Sequence, residues 1–521
     1  MTVQDTPILI VGGSLVGLTT AMLLGTLDVP SLVVERHAGT AIHPRAGHFQ
    51  LGTMEMLRQV GLEDEVRSAS LATYHPTGGI VAVESLAGRE LATYVSELNE
   101  GVEGYSPTRR VFVNQDVLEP ILARKASELG ATVRNRTEAA GLEQDADGVT
   151  VTLRDLDGGG ERRVRARYVV AADGNRSATR TRLGIAMEGH GELSRSITIY
   201  FRADCAPLLR ERNQGVIYVH NPTLRGFFRL DRNRGTGFLV INTVGEDVTL
   251  PEAISVSEGL TDERARALLQ TAIGTPDVRA EVLHVAHWRA EANVATRMQH
   301  GSVFLAGDSA HVVPPNGGYG GNTGILDARN LAWKLAAVVK GTAGAGLLDT
   351  YDAERRPLGR LTVEQAYTRY ATRVVPERGT DDAEPFIDDL TMELGLIVRS
   401  RAVIGDGSID DGVLHMPHAD VRGQPGTRAP HVALAANRST LDLFGRGFVL
   451  LRPAGPSVDE WAPPGVEAHV VHADGFAEAY GIAGEGACLV RPDGIVGWRS
   501  RGAFERDELT GALDSILSLN T

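Results

Sequence analysis

The opening of the chain limits its fold more than any other segment. Pro7-Ile-Leu-Ile-Val11 is a short, continuous apolar run, the pattern of a strand buried on both faces. Gly12-Gly-Ser-Leu-Val-Gly17 follows, then an apolar helix through Leu24 and a second strand, Ser31-Leu-Val-Val-Glu35. A strand, a glycine turn and a helix bring backbone N–H groups and the positive end of a helix dipole to one point, which suits a pyrophosphate. Against the Gly-x-Gly-x-x-Gly dinucleotide fingerprint, Gly12 and Gly17 fill the outer positions and Ser14 replaces the middle glycine. Glu35 closes the second strand, where a carboxylate meets ribose hydroxyls. An acid there disfavours a ribose bearing a phosphate, so FAD or NAD fits better than NADP.

Two later motifs repeat the strand-then-glycine pattern. Tyr168-Val-Val-Ala-Ala172 runs into Asp173-Gly174, and Ser302-Val-Phe-Leu-Ala306 into Gly307-Asp308. Either pair read alone is a turn or a cap. The chain carries 60 glycines in 521 residues, well above the usual share of roughly 7%. Gly317, Gly318, Gly320, Gly321 and Gly324 crowd one loop after Pro314-Pro315. A mere connector does not need that much backbone freedom. Bare amides opening a helix make a site for a flat, electron-rich or anionic ligand.

Between these motifs the texture changes. Ile197–Phe201, Gly215–His220, Gly226–Leu230 and Thr236–Asn242 read as successive strands of a second sheet, followed by a helix over Asp262–Ile273. A long helix is expected from about Asn322 to Lys340. The strands Gly447–Leu451, Glu467–Val471 and Ala487–Arg491 suggest a separate small α/β domain. A net charge of −14 argues against nucleic acid as a partner. Two distant cysteines, Cys205 and Cys488, exclude a disulfide scaffold and a CxxC pair. No clustered metal ligands, no signal-peptide pattern and no membrane-length apolar run are found, so a cytoplasmic protein without metal or membrane contact is expected.

The three glycine motifs, in this order, resemble those of the class A (single-component) FAD-dependent aromatic hydroxylases. Ala328-Arg-Asn-Leu-Ala-Trp-Lys334 and Leu347-Leu-Asp-Thr-Tyr-Asp-Ala-Glu-Arg-Arg-Pro357 strengthen the match. The last segment is similar to the thioredoxin-like C-terminal domain of the phenol and polyketide hydroxylase branch. The resemblance implies an α/β fold with a Rossmann-like FAD-binding domain (1–72, 101–190 and 285–375). A β-sheet substrate domain would take 73–100 and 191–284, a helix and linker 376–425, and the thioredoxin-like domain 426–521. It implies FAD with NADPH or NADH and dioxygen as co-substrates. Gly12, Ser14 and Gly17 would surround the pyrophosphate, and Glu35 and Arg36 would flank the adenosine ribose. Arg45 and Asp173 would lie near the phosphates, and Gln115 and Asp308 along the ribityl chain. Pro315, Gly320, Gly321, Asn322 and Thr323 would face the isoalloxazine ring. His311 reads as a structural histidine of the third motif.

For the reaction, the resemblance implies hydroxylation through a flavin C4a-hydroperoxide. The opening motifs look most like actinobacterial enzymes that hydroxylate polycyclic aromatic polyketides, in antibiotic or pigment biosynthesis, in some cases within an oxidative rearrangement. A simple phenol hydroxylase or an antibiotic-inactivating monooxygenase keeps the fold and changes the substrate. A non-catalytic FAD-binding protein is the alternative of another class. Candidate acid–base residues are His48, Tyr218 and His220, and candidate substrate contacts are Tyr218, Phe228 and Tyr319. A homodimer is one assembly open to such a chain.

Overall fold

The computed structural model describes residues 4–209, 214–379, 381–453 and 462–519. Its first sheet is the parallel core that the opening motif dictates. Val303–Leu305, Gly160–Ala171, Gln4–Val11, Ser31–Val34 and Thr132–Arg134 lie side by side in that order, all parallel. Ile8, Leu9, Ile10, Val33, Val169, Val170 and Phe304 are fully buried, as apolar runs covered on both faces require. The antiparallel strands Thr137–Asp145 and Gly148–Asp155 extend Gly160–Ala171.

The second sheet has eight strands. Their order is His311–Val312, Glu281–Ala295, Met187–Arg202, Thr236–Val244, Leu224–Leu230, Gln214–His220, Gly79–Val83 and Glu90–Val95. One face packs Ile197, Ile199, Ile217, Phe228 and Leu239 against Ala265, Leu268, Leu269 and Ala272 of the helix Asp262–Ile273. The other face carries Tyr218, Phe227, Phe238 and Val240 and turns toward the first body, where Tyr200 donates to the carbonyl of Pro44 at 2.8 Å.

The helix Tyr319–Val339 begins three residues earlier than expected. Gly320, Gly321 and Gly324 therefore lie inside the helix rather than in a loop. Their missing side chains let it approach its neighbours: a Cβ on Gly324 would stand 2.6 Å from Val16 and 3.0 Å from the Cα of Gly307. The helix within 376–425 is the short Asp389–Leu394. The C-terminal sheet pairs Phe448–Arg452 in parallel with Val466–Val470 and antiparallel with Ala487–Val490, which pairs with Val496–Ser500. Phe448, Leu450, Leu489 and Trp498 pack in the same continuous core as Trp333 and Leu335 of the long helix. No described helix is long and apolar enough to cross a membrane.

Candidate active site

The three glycine motifs converge at the ends of the parallel strands. Gly12 adopts φ +106°, and a Cβ there would fall 2.2 Å from the carbonyl oxygen of Ala172, beside Asp173. A Cβ on Gly17 would fall 1.8 Å from the oxygen of Gly12, and one on Gly307 2.7 Å from Val16. Only glycine fits at these contacts, so a cradle of bare backbone is left at the start of the helix Leu15–Thr26. Arg180 ties the second motif to the third, donating to the carbonyls of Asn175 (2.9 Å) and Ser309 (3.1 Å). Asp173 accepts from Ser177 Oγ (2.5 Å) and the Thr179 amide (3.0 Å), so its carboxylate also holds the short helix Ala178–Arg182.

Two carboxylates close the cradle. Glu35 is buried and accepts from the Gly13 amide at 2.7 Å and the His37 amide at 2.8 Å. Glu119, fully buried, accepts from the Leu15 amide (2.9 Å), Gln115 Nε2 (2.7 Å), the Ala41 amide (2.7 Å) and the Ser14 hydroxyl. Gln115 also donates to Ser14 Oγ at 3.0 Å and accepts from the Ala46 amide at 3.2 Å. Ser14, at the position of the missing glycine, is thus built into a polar knot. Glu119 escaped the sequence reading, although its place four residues after Gln115 on the same helix face is a usable signal. Arg36 and Arg45 are exposed at the rim.

Asp308 opens to solvent at the foot of the cleft. The protein around it pushes its carboxyl pKa up, while His311 and Arg45 pull it back, and no hydrogen bond adds to these effects. His311 is fully buried and 2.6 Å from Asp327, which also accepts from Arg355 (2.7 Å) and the Gly307 amide (3.0 Å). This buried group braces the Gly307–Asp308 turn, as the structural reading of His311 expects. Asn322 is consumed internally. Its side chain accepts from the Gln50 amide and Thr53 and donates to the carbonyls of His48 and Gly318. Asn322 can therefore meet a ligand only through backbone, beside the buried Thr323 and the half-buried Pro315, Gly320 and Gly321. The first amides of the helix have no partner within it.

At the sheet side, Tyr218 is 4% exposed and accepts from Asn316 Nδ2 at 3.3 Å. The buried Arg373 guanidinium also bonds to it. His220 shares the face of Tyr218, and burial followed by the nearby Arg225 lowers its pKa. His48 is driven down to about 3, first by burial and then by Arg110, so it is neutral at ordinary pH. Two expectations fail. Phe228 points to the far side of the sheet, into the core under Asp262–Ile273. Tyr319 is 2% exposed and turns away from the cleft to donate to Asp389 at 2.9 Å, with Arg369 over its ring.

Residues 5–366 match the FAD binding domain family, and residues 422–518 match the aromatic-ring hydroxylase C-terminal family. The chain belongs to the FAD-dependent aromatic-ring hydroxylases. It is 51% identical to a 4-methyl-5-nitrocatechol 5-monooxygenase of a Burkholderia species, over 98% of both proteins. It is 37% identical to tetracenomycin A2 monooxygenase-dioxygenase of Streptomyces glaucescens, over 99% of this chain and 98% of that one. The crystal structure of aklavinone-11 hydroxylase with FAD and aklavinone superposes with a TM-score of 0.91 at 36% identity, covering 99% of this chain and 100% of that one.

Membership makes this hydroxylase an FAD-dependent aromatic monooxygenase, with NAD(P)H and dioxygen as co-substrates. The site fits that cofactor in two respects: a glycine-only cradle faces a helix N-terminus, and a carboxylate without a protein hydrogen bond stands below it. Bound FAD would supply hydride acceptance from NAD(P)H and the activation of dioxygen by which one oxygen atom reaches an aromatic ring. The protein's part is to position the ring, exclude water and stabilise developing charge.

Proposed function

We propose that this hydroxylase acts on a small, electron-rich ring, a phenol or catechol bearing polar substituents, rather than on a polycyclic polyketide. The observation that carries this reading is the 51% identity to the nitrocatechol monooxygenase over 98% of both chains, against 34–38% to the polyketide hydroxylases. In this reading Gly12, Ser14 and Gly17 receive the pyrophosphate, and Glu35, Arg36 and Arg45 stand at the adenosine and phosphate end. Gln115 and Asp308 take the ribityl chain, Asp173 lies beside the pyrophosphate, and Pro315 to Thr323 back the flavin ring. Tyr218 Oη, between Asn316 and Arg373, is positioned to hydrogen-bond the ring oxygen of a phenol or phenolate substrate. Arg373 favours negative charge on that oxygen.

The purified protein is expected to be yellow, with one FAD per chain, and to oxidise NAD(P)H faster when 4-nitrocatechol or 4-methylcatechol is added. Product carrying one labelled atom from 18O2 completes the test. A flavin-free protein that takes up no FAD, or oxidation that no phenol stimulates, would sink the reading. The polyketide reading is second, supported by the superposition on the aklavinone complex. Hydroxylation of an anthraquinone in preference to catechols would establish it instead.

A further inference from the structure

Arg229 is a buried cation without an anion. It lies on the strand Leu224–Leu230 and is 5% exposed. Alternation places it on the face of Phe227, toward the cleft, opposite to Phe228. Its guanidinium carbon stands 4.5 Å over the ring of Tyr74 and 4.9 Å over that of Phe112. The guanidinium presses on the loop that carries Arg45: a Cβ on Gly47 would fall 1.7 Å from Nη1. Nε and Nη2 are buried without a hydrogen-bond partner, and no carboxylate pairs with the group among the described residues.

Five other buried arginines are handled differently, each facing a carboxylate. Arg110 pairs with Glu393, Arg355 with Asp327, Arg369 with Asp389, Arg491 with Glu354 and Arg499 with Asp406. Two aromatic faces compensate a guanidinium only in part, and unmade hydrogen bonds from a buried charge are costly. A second orphan lies close by: His48 Nε2 is buried without a partner, and its ring is 5.4 Å from that of Phe112. A Cβ on Gly318, at the start of the helix Tyr319–Val339, would fall 3.0 Å from His48 Nδ1, so this nitrogen cluster adjoins the loop assigned to the flavin ring.

We propose that Arg229 is the substrate-recognition cation of the pocket, binding a negatively charged oxygen substituent of the aromatic ring through Nε and Nη2, with His48 Nε2 meeting a second polar atom of the same ring. The inference rests on the reading that a small phenol or catechol occupies the cleft. The ligand chemistry is a nitro, phenolate or carboxylate oxygen. The two planar donors of a guanidinium edge match the paired oxygens of a nitro or carboxylate group, and the flanking rings keep water from competing.

The test uses holoenzyme, titrated with 4-nitrocatechol and with catechol and followed by the flavin absorbance. The wild type is expected to prefer the nitrocatechol. Arg229→Met should weaken nitrocatechol binding about 10- to 100-fold and change catechol binding less than about threefold, with FAD content unchanged. Arg229→Lys keeps the charge and loses the fork. It should recover part of the affinity, and it carries the test if the methionine variant does not fold. No preference in the wild type, or equal weakening of both ligands in the variants, overturns the proposal. So does loss of FAD or a shifted flavin potential in ligand-free Arg229→Met, which would assign the guanidinium to the cofactor. A wild type that prefers the anionic ring without oxidising NAD(P)H in response would sink the substrate reading and leave this one standing.

Discussion

Among the described residues the exposed Asp308 side chain makes no hydrogen bond, and the protein packed around it raises its pKa. A carboxylate so placed contributes little to the folded apoprotein and finds its partners in a ligand. Asp308→Ala is therefore expected to leave the apoprotein melting temperature within about 2 °C while cutting FAD content severalfold, read from the absorbance of the purified protein. A parallel drop in melting temperature would give the residue a structural role instead. The two thiols behave in the opposite way. Cys205 and Cys488 are buried, and burial pushes each thiol up to about 12. Neither should react with a thiol reagent at pH 8 in the native protein, and both should react in denaturant. Fast labelling of one native thiol would refute this. At this scale the sequence places Asp308 and Gly17 in their motifs. It cannot choose between Phe228 and Arg229, because alternation gives two faces without saying which one meets the cofactor domain.

Single elements were legible where one period dominated. Tyr168–Ala172 and Val303–Leu305 are uninterrupted apolar runs and form the expected central strands. Glu281–Ala295 is a strand of the second sheet that carries His284, His287 and Arg289 among small residues, and its burial follows no clean alternation. Gly79–Val83 was hard to see as a strand because its parallel partner, Gln214–His220, lies far along the chain, and Glu90–Val95 is an edge strand that pairs only with Gly79–Val83. The short helix Asp389–Leu394 gains its place through one side chain. Glu393, almost fully buried, accepts from Arg110 at 2.8 Å and from the Leu51 amide at 3.0 Å, at the start of the helix Leu51–Gln59. Burial raises its pKa to about 7 against the pull of Arg110. Between about 4.5 and about 7 the unfolded chain loses this proton and the folded chain keeps it, so stability falls as pH rises through that window. Glu393→Gln cannot titrate. Relative to it, the wild type should lose about 2–3 kcal/mol between pH 5 and pH 7.5 in urea unfolding. Parallel pH profiles for the two proteins would rule out the elevated carboxyl.

Across the whole molecule, the C-terminal segment looked like a separate domain because its strands are complete in themselves. Its attachment was hidden in side chains far apart in sequence. Glu354, fully buried on the helix Asp349–Arg373, accepts from Lys334 (2.9 Å), Asn330 (2.6 Å) and Ser400 (2.6 Å). It also accepts from both terminal nitrogens of Arg491, at 2.7 and 2.9 Å, on the C-terminal side. Arg491 in turn stacks over Trp333 at 5.2 Å. Burial alone would raise the Glu354 carboxyl, but Arg491 and Lys334 outweigh it and hold the group well below the usual carboxylate range. The stability this contributes is present above about pH 4.5 and is lost as pH falls through the folded value. A second pair crosses the same boundary, Arg58 with Asp442 at 2.6 Å, but each side chain is 22% exposed. Depth decides which matters. Glu354→Ala strands Lys334 without an acid and is expected to cost about 3–5 kcal/mol. Asp442→Asn should cost about 1 kcal/mol or less. Urea unfolding of the two variants measures both, and limited proteolysis between 401 and 425 should speed up only in the first. Equal losses would mean that the apolar core shared by Phe448, Leu450 and Trp333 fixes the C-terminal domain without help from the buried charges.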